Sequence, residues 1–494
     1  MKKKTSHANS VTDALVEGRA APDAKYKRYF LDVTDLVFWI DHHETLSGIQ
    51  RVAVNVATEL AVRLGHDRVV LCFFDSDSNE YKAISSKFLL EEGPFDVKAA
   101  RVALGVLKKL EATPPGLSKY RRRPAKLLFH STRLKMKAAK NDKKYFKNKG
   151  ISLEEWQEYW EVRRATKSIA TEKSDRIGTV DQMITSDDCL FLLSGSWNTP
   201  EATSAYEPIA RKGVNISLLI YDLIPVFHSE HIVQELCRNF VKWLDGSRGY
   251  VSQYFTISEH CASEVRRYLE AYGNTQSVTA IPLAQQFPAQ VLNSPDNAVE
   301  ADFHLKQKIS PDIANVIARP FVLVVGTLET RKNNLALAQA WDLLRREDGL
   351  ELPRLVFAGR VGWLNDRFEN FMAASGNLWG WVDIFHSPTD EELAYLYENC
   401  QFTALVSFVE GWGLPIGESL SYGKTAVVAN NSSMPEVGHD MVEYCDAHSV
   451  QSIAKACRRL ISDHGHRVAL ERRIKTRRLR TWDDVAEDFV RALT

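Results

Sequence analysis

The sequence has 494 residues, more than one hydrophobic core usually supports, so we expect two domains. Its 63 lysines and arginines balance its 63 aspartates and glutamates, so charge gives no reason to expect a nucleic-acid partner. The seven cysteines form no CxxC pair, which favours reduced, buried thiols over a zinc or disulfide framework. No apolar run approaches the ~18 to 20 residues of a membrane span, so we expect a soluble, cytoplasmic protein.

Short apolar runs alternate with helical patterns along the chain, which is typical of an α/β protein with parallel sheets. In the first half the expected strands cover 29–33, 69–74, 189–193, 216–221 and 254–257. In the second half they cover 321–325, 354–358, 382–385, 402–406 and 425–429. The pattern predicts two similar α/β units, one in each half.

Proline and polar residues mark the boundary between these units. We expect a first domain at 26–285, a linker at 286–319 and a second domain at 320–480. Residues 1–25 lack the apolar core of a signal peptide and are expected to form a flexible tail. Residues 481–494 have the pattern of a terminal helix.

One segment, from about 77 to 185, has a mostly helical pattern and interrupts the first α/β unit. Its basic part, residues 117–150, includes Arg121, Arg122 and Arg123. Two interpretations stay open. The segment is either a solvated helical insertion or a basic surface for anionic lipid or an anionic glycan, which would bring the protein to the inner face of the membrane.

The most informative stretch lies at 402–424, where an apolar strand ends in a glycine turn and a helix opens at Pro415. Free backbone N–H groups around Gly413 and Leu414, with the helix dipole, suit a phosphate. Glu418, in the first turn of this helix, can accept hydrogen bonds from the hydroxyls of a nucleotide ribose. Glu410 precedes the turn, at the strand end where open α/β sheets bind ligands, and would contact a transferred sugar.

A second element, at 321–341, runs from an apolar strand into Gly326 and then Arg331 and Lys332 before a helix. Charge-assisted hydrogen bonds from these two cations would hold a diphosphate and stabilise it as a leaving group without a metal.

The segment EGWGLPIGE at 410–418 resembles the Glu-x7-Glu motif of retaining glycosyltransferase family 4. The segment GTLETRKN at 326–333 is similar to the phosphate-binding loop of that family, although many members have arginine where this chain has Thr327. The resemblance implies the GT-B fold, in which two Rossmann-like domains face an interdomain cleft. It also implies sugar transfer from a nucleotide diphosphate with retained configuration, without metal or cofactor.

Two segments of the first domain extend the resemblance. SGIQRV at 47–52 is similar to an amino-terminal family motif, which implies that Gly48 approaches the donor phosphate; Arg51 either faces the cleft or pairs with a surface acid. YDLIP at 221–225 is similar to a His-Asp-Leu-x-Pro segment beside the reacting sugar, with Tyr221 in place of the histidine. Asp222 therefore joins Glu410 and Lys332 as a candidate catalytic residue, and a purely structural role for Asp222 stays open.

Three further features have open interpretations. Trp197, after a strand, either stacks on a sugar or belongs to the core or a lid. His228 is a nearby polar candidate that we expect to be structural. The triplets in DSDS (75–78) and DHHE (41–44) contain metal-ligand residue types, but we expect no metal at either.

By resemblance, the setting is bacterial surface-polysaccharide synthesis, with GDP-mannose or a deoxysugar nucleotide as donor and a saccharide or lipid-linked acceptor. The alternatives are an inactive GT-B protein that binds saccharide or nucleotide, and another GT-B enzyme such as a sugar-nucleotide epimerase.

Overall fold

The computed structural model describes residues 25–287 and 309–493 except for gaps at 44, 77, 91–94, 106–113, 118–119, 121–123, 148–150, 155, 158, 161–175 and 198. The described residues form two α/β units, each built on one mostly or wholly parallel sheet. The expected α/β class with two Rossmann-like domains is confirmed.

The first sheet has eight strands in the order β4-β3-β2-β1-β5-β6-β7-β8. The strands are β1 Tyr29–Asp32, β2 Val69–Asp75, β3 Glu80–Ser85, β4 Arg176–Thr179, β5 Cys189–Leu192, β6 Asn215–Ile220, β7 Gln253–Thr256 and β8 Ser277–Ala280. β1, β2 and β5 to β8 run parallel. β1, β2, β5 and β6 are buried along almost their whole length, as parallel strands covered by helices on both faces are.

The helices of this half cover the two faces of the sheet and form the insertion. They are α1 Thr34–His42, α2 Gly48–Leu64, α3 Val97–Ala103, α4 Pro124–Ala139, α5 Lys143–Lys147, α6 Val180–Met183, α7 Pro200–Arg211, α8 Ile224–Phe227, α9 Gln234–Ser247 and α10 Glu259–Ala271. The sequence pattern did not predict α1. Its first turn is fixed by the buried carboxylate of Asp32, whose Oδ1 accepts the Thr34 N–H at 2.7 Å.

The prediction that 77–185 is a mostly helical interruption was wrong at both ends. β3 pairs antiparallel with β2, and β4 pairs antiparallel with β3, so these ends extend the edge of the first sheet. The helical part between them has a small core of its own, which includes Phe146 and Trp156. Arg121, Arg122 and Arg123 lie outside the described residues.

The second sheet has six parallel strands in the order β11-β10-β9-β12-β13-β14. They are β9 Phe321–Val325, β10 Arg354–Gly359, β11 Val382–His386, β12 Thr403–Leu405, β13 Ala426–Ala429 and β14 Glu443–Cys445. The helices are α11 Pro311–Ile317, α12 Asn334–Leu344, α13 Asp366–Gly380, α14 Asp390–Asn399, α15 Leu414–Ser421, α16 Met434–Gly438, α17 Val450–Ser462, α18 His464–Thr476 and α19 Trp482–Leu493. α11 lies within the expected linker and packs through Ile313 and Val316 on this second unit.

The last helix, α19, packs on the first unit. Phe489 contacts the rings of Phe191 and Phe255, both at 5.4 Å between centroids. Arg63 of α2 forms an ion pair with Asp483 at 2.8 Å. The two units are thereby joined at one side of the cleft by apolar and charged contacts.

A second set of contacts closes the cleft near its floor. Ser258, ahead of α10, donates its hydroxyl to the Gly411 carbonyl at 2.8 Å. Glu436 of α16 accepts the backbone N–H groups of Glu259 and His260 at 2.8 and 2.9 Å. These bonds bring the carboxyl ends of both sheets together, where α/β proteins hold their ligands.

A polypeptide helix needs about 20 apolar residues to pass through a bilayer. Over the part of the chain that the structure describes, no helix meets that requirement.

Candidate active site in the interdomain cleft

A cavity of about 430 Å³ lies between the two units. It is lined by loops that follow strands β5, β6, β9, β10 and β12, and by the start of α2. Among its lining residues are those proposed from sequence for the reacting centre and the donor: Gly48, Asp222, Gly326, Arg331, Lys332, Glu410, Gly413, Leu414 and Glu418. The fold thus brings together residues that are up to 370 positions apart in the chain, from Gly48 to Glu418.

Glu410 is the centre of a charged cluster. Its Oε1 accepts hydrogen bonds from Lys332 Nζ and from the Ser407 hydroxyl, both at 2.6 Å, and its Oε2 lies 2.8 Å from Arg331 Nη1. Burial opposes ionisation of Glu410, but the adjacent Arg331 and Lys332 outweigh it and lower the pKa of Glu410 to about 2. Glu410 is therefore a carboxylate at neutral pH and an acceptor of hydrogen bonds.

Arg331 is fixed on every side. Its Nη2 contacts Glu329 Oε1 at 2.7 Å, and its Nη1 also donates to the Val409 carbonyl at 2.7 Å. Burial opposes the charge of this guanidinium, but Glu410 and Glu329 outweigh it and raise the pKa of Arg331. Arg331 therefore holds Glu410 and the loop before it, while Lys332 is the more adaptable cation of the two.

The turn after β12 leads into α15, and the first residues of this helix line the cavity. Gly413 has a φ of 99°, in the left-handed region that favours glycine. α15 begins at Leu414, one residue before the predicted Pro415, so Glu418 lies in its second turn and not its first. Pro415 has no N–H, and the Ile416 N–H donates to the Gly413 carbonyl at 2.9 Å. The candidate phosphate donors at this helix start are therefore the N–H groups of Gly413 and Leu414, two residues that line the cavity.

Glu418 is held by residues from both units. Its Oε2 accepts the Tyr397 hydroxyl at 2.6 Å, and its Oε1 lies 3.7 Å from Arg51 Nη1. Arg51 also contacts Asp390. Burial raises the pKa of Glu418, although Arg51 and Tyr397 oppose this. Both interpretations of Arg51 hold, since it faces the cleft and pairs with acids of the other unit.

Asp222 lies against the glycine turn of the second unit. A Cβ on Gly411 would lie 2.5 Å from the Tyr221 carbonyl and 3.1 Å from Asp222 Cβ, so only glycine fits there. Asp222 Oδ1 accepts the Ile224 N–H at 3.1 Å, and burial raises the pKa of Asp222 although Arg331 opposes this. Its side chain thus has a local structural bond and a place in the cavity.

The two other glycines make close contacts of the same kind. A Cβ on Gly48 would lie 3.4 Å from Leu414 Cδ1, so the starts of α2 and α15 pack against each other across the cleft. Gly326 has a φ of 140°, and a Cβ there would lie 3.4 Å from Lys332 Cε. Both positions leave room that a side chain would fill.

Comparison with known proteins finds a match to a protein family in the second half of the chain. Residues 306–477 match the model of the family described as glycosyl transferases group 1. The second unit is a group 1 glycosyltransferase domain.

Two curated relatives from Escherichia coli match this chain. O-antigen chain mannosyltransferase B is 32% identical over 173 residues, which are 35% of this chain and 45% of that protein. Serotype-specific mannosyltransferase WbdA is 23% identical over 265 residues, 52% of this chain and 31% of that protein. The chain thus spans less than half the length of either relative.

Solved structures extend the likeness to both units. Anabaena Alr3699/HepE, solved with UDP and glucose, has a TM-score of 0.54 at 12% identity and covers 95% of this chain and 99% of its own. A glycosyltransferase from Rickettsia africae has a TM-score of 0.50 at 11% identity, over 94% and 98% of the two chains. At these identities the likeness shows the fold, which is GT-B.

Several residues around the group 1 domain's cluster were not predicted from sequence. Ser407 and Glu329 complete the shell of Glu410 and Arg331, and Tyr397 binds Glu418. Ser407 lies three residues before Glu410, and Glu329 lies two before Arg331, so proximity in sequence was the available signal. Tyr397 gave none, because it is on a separate helix, α14.

The remaining sequence candidates lie outside this cluster. His228 Nε2 is 3.7 Å from Glu264 and does not line the cavity. Asp75 pairs with Lys82, while Asp77 and Glu44 lie outside the described residues. Tyr221 lines the cavity, but its hydroxyl donates to the Leu193 carbonyl at 2.7 Å and is not available to replace the family histidine.

Proposed function

We propose that this protein is a retaining glycosyltransferase that moves a sugar from a nucleotide-diphosphate donor to a saccharide or lipid-linked acceptor in surface-polysaccharide synthesis. The observation that carries the proposal is the ionised Glu410, fixed between Lys332 and Arg331 beside the start of α15, in a cavity shared by both units. The group 1 domain supports it.

The donor diphosphate would lie against Lys332 and the N–H groups of Gly413 and Leu414 at the start of α15. A lysine and a helix N-terminus are two recurring devices for binding phosphate in proteins. Glu418 would accept hydrogen bonds from the ribose hydroxyls, while Gly326 and Gly48 leave space for the diphosphate. This arrangement places positive charge where the leaving group gains negative charge, with no metal required.

The chemical step follows from the charge state of Glu410. A carboxylate with a pKa of about 2 has no proton to donate at neutral pH and is a poor base. Glu410 would therefore orient hydroxyls of the donor sugar as its ring becomes oxocarbenium-like. The acceptor hydroxyl would attack from the leaving-group face and give its proton to the departing phosphate oxygen, so the anomeric configuration is retained.

GDP-mannose is the first donor to test. The names of both curated relatives give mannosyl transfer, one of them in O-antigen chain synthesis. HepE, whose structure holds UDP and glucose, makes UDP-glucose the second donor to test.

A peripheral membrane contact would suit a lipid-linked acceptor. On α4, Leu128, Phe129 and Met136 are 70%, 63% and 59% exposed, and lysines occupy the same helix. Exposed apolar side chains among basic ones are the pattern of a helix that lies on an anionic membrane surface.

The test is transfer by the full chain from GDP-mannose, UDP-glucose and dTDP-rhamnose to a panel of oligosaccharide acceptors, with the product's anomeric configuration read by NMR. We expect one donor to react and its configuration to persist. An inverted product would exclude the retaining mechanism. Nucleotide binding without transfer or hydrolysis of any donor would favour the inactive alternative.

A further inference from the structure

The cavity has an aromatic and apolar arm on the first unit, which the proposed donor contacts leave unused. Trp197 lines it together with Phe240 and Trp243, whose ring centroids each lie 5.3 Å from that of Trp197. Apolar residues of the α8–α9 region complete the wall: Ile224, Pro225, Ile232 and Leu236. Trp197 is only partly buried, whereas Phe240 and Trp243 are 4% and 5% exposed.

The ring of Trp197 is held in one position by close packing from below. A Cβ on Gly195 would lie 1.6 Å from the Trp197 ring, so only a glycine at 195 lets the indole lie where it does. The edges of Phe240 and Trp243 limit the ring on another side. A tryptophan kept partly open in this way presents a rigid apolar surface at little entropic cost on binding.

The loop that carries Trp197 is anchored by the residues just before it. The Tyr221 hydroxyl donates to the Leu193 carbonyl. The Tyr206 hydroxyl donates to the buried Asp32 Oδ2 at 2.8 Å and lies 3.3 Å from Ser196 Oγ. β5, which precedes this loop, pairs directly with β6, which leads to Asp222. The aromatic arm therefore adjoins the Asp222 side of the reacting centre.

Charge is distributed unevenly in the cavity. Among the described lining residues of the first unit, the charged ones are Arg51 and Asp222, whereas the second unit contributes Glu329, Arg331, Lys332, Glu410 and Glu418. A phosphate or a carboxylate in the aromatic arm would lose its hydration without a cation to replace it. The arm therefore suits an uncharged group with an apolar face.

We propose that Trp197 is the platform of an acceptor subsite that takes a neutral pyranose ring, the terminal sugar of the acceptor. The apolar face of the ring stacks on the indole, and one hydroxyl points to Asp222 and the donor. The subsite rests on the proposed glycosyltransferase function and adds to it the charge class of the acceptor's reacting end. An anionic sugar or a lipid phosphate does not enter this arm.

The test uses methyl glycosides of mannose, glucose, galactose, N-acetylglucosamine and rhamnose as neutral probes. Mannose 6-phosphate, methyl glucuronide and farnesyl phosphate are the charged probes. Binding is measured by ligand-observed NMR on the full chain saturated with the nucleoside diphosphate that binds it. We expect at least one neutral glycoside to bind, and to bind more tightly than each charged probe.

Two variants remove the platform in different ways: Trp197→Ala deletes the indole, and Gly195→Ala displaces it. Each should weaken binding of the neutral glycoside by at least about tenfold, the usual scale for truncating a tryptophan that anchors a ligand. Trp197→Phe keeps an aromatic face and should lose less glycoside affinity than Trp197→Ala. Trp381→Ala, a tryptophan of the second unit outside the cavity lining, is the matched control and should bind the glycoside as wild type does.

Nucleoside diphosphate affinity distinguishes failure of the proposed function from failure of the subsite alone. If wild type binds no nucleoside diphosphate, the proposed function fails. If it binds the nucleotide but no neutral glycoside, binds the charged probes as well or better, or binds the glycoside equally in the Trp197→Ala and Gly195→Ala variants, then only the subsite is overturned.

Discussion

Arg331 Nη1 lies 2.8 Å from Glu410 Oε2, and the two side chains are only 14% and 8% exposed. Lys332 holds the other oxygen of the same carboxylate. Glu410 therefore cannot turn or protonate readily, and its position in the cavity is set before any donor arrives. Preorganised charge of this kind needs little rearrangement during reaction, which is how enzymes obtain much of their electrostatic stabilisation.

The first prediction concerns Glu410→Gln. The amide keeps the shape of the side chain but loses the charge that orients the donor sugar, so kcat should fall by about a hundredfold or more, about 2.7 kcal/mol. Nucleoside diphosphate affinity should persist, because Lys332 is kept and no longer neutralised. Steady-state kinetics and calorimetric titration measure the two effects. Wild-type turnover in the variant would refute the role of Glu410.

The second prediction concerns Lys332→Ala. Removing the adaptable cation should weaken binding of the nucleoside diphosphate by about tenfold or more, since hydrogen bonds to charged groups contribute about 1.5 to 3 kcal/mol. The nucleoside alone should bind the variant and wild type alike. Lys212→Ala removes a lysine that pairs with Asp181 on the surface and serves as control. Equal diphosphate affinity in the Lys332 and Lys212 variants would exclude the phosphate contact.

The third prediction compares Tyr397→Phe with Tyr422→Phe. Tyr397 donates its hydroxyl to Glu418. The ring of Tyr422 stacks on that of Tyr397 at 5.4 Å between centroids, but its buried hydroxyl has no hydrogen-bond partner among the described residues. Burial already raises the pKa of Glu418, and loss of the Tyr397 bond should raise it further. Tight donor binding requires the ionised form of Glu418, so donor affinity is lost as pH falls.

In Tyr397→Phe that loss should therefore occur at higher pH than in wild type, whereas Tyr422→Phe should follow the wild-type curve. Donor titrations across a pH series measure the midpoint. Superimposable curves for all three proteins would contradict a ribose contact that depends on ionised Glu418.

The fourth prediction concerns the stability contributed by Glu264. Burial, and then the nearby charge of Asp222, raise the pKa of Glu264 to about 7; its Oε1 also lies 3.7 Å from His228 and 3.6 Å from His260. The folded state thus favours the protonated acid. The contribution of protonated Glu264 to the free energy of unfolding is complete below its unfolded-state pKa of about 4.3, and it is lost as pH rises through about 7.

Glu264→Gln removes this dependence. The Tm of wild type minus the Tm of the variant should be larger at about pH 5 than at about pH 8. Thermal unfolding of both proteins at both pH values is the measurement. A Tm difference that does not change with pH would show that Glu264 titrates normally.

The fifth prediction concerns α4. Replacing Leu128 and Phe129 together by serine should reduce binding to phosphatidylglycerol vesicles, because both side chains are exposed and available to insert. Leu343→Ser, at an exposed leucine of α12 in the second unit, is the control and should bind as wild type does. Sedimentation with vesicles measures the effect. Equal binding of both variants, or equal binding of wild type to pure phosphatidylcholine vesicles, would exclude an anionic membrane contact through α4.

Local pattern was sufficient to predict most of the two sheets. Apolar runs such as 321–325 coincide with the observed strand, because a buried parallel strand needs side chains that are apolar on both faces. The hairpin of β2 and β3 was missed, since its second strand alternates polar and apolar residues and lies at a sheet edge. α1 was missed although Asp32 accepts the N–H of Thr34, only two residues further on, because Asp32 lies at the end of an expected strand and the Tyr206 hydroxyl that also binds it is distant in sequence.

The candidate site divides in the same way. Glu410, Glu418, Arg331 and Lys332 stand in short motifs, and the structure places all four in one cavity. Tyr397 and the position of Arg51 depend on how α14 and α2 pack, which no local pattern states. Long-range packing, and not residue type, decides such contacts.

The most direct test is a crystal structure of the protein with an intact sugar nucleotide, GDP-mannose first. The account predicts the diphosphate within about 2.7 to 3.2 Å of Lys332 Nζ and of the N–H groups at the start of α15. Sugar hydroxyls should lie on Glu410 and ribose hydroxyls on Glu418. A nucleotide bound elsewhere, or one whose diphosphate does not contact Lys332 or α15, would contradict it.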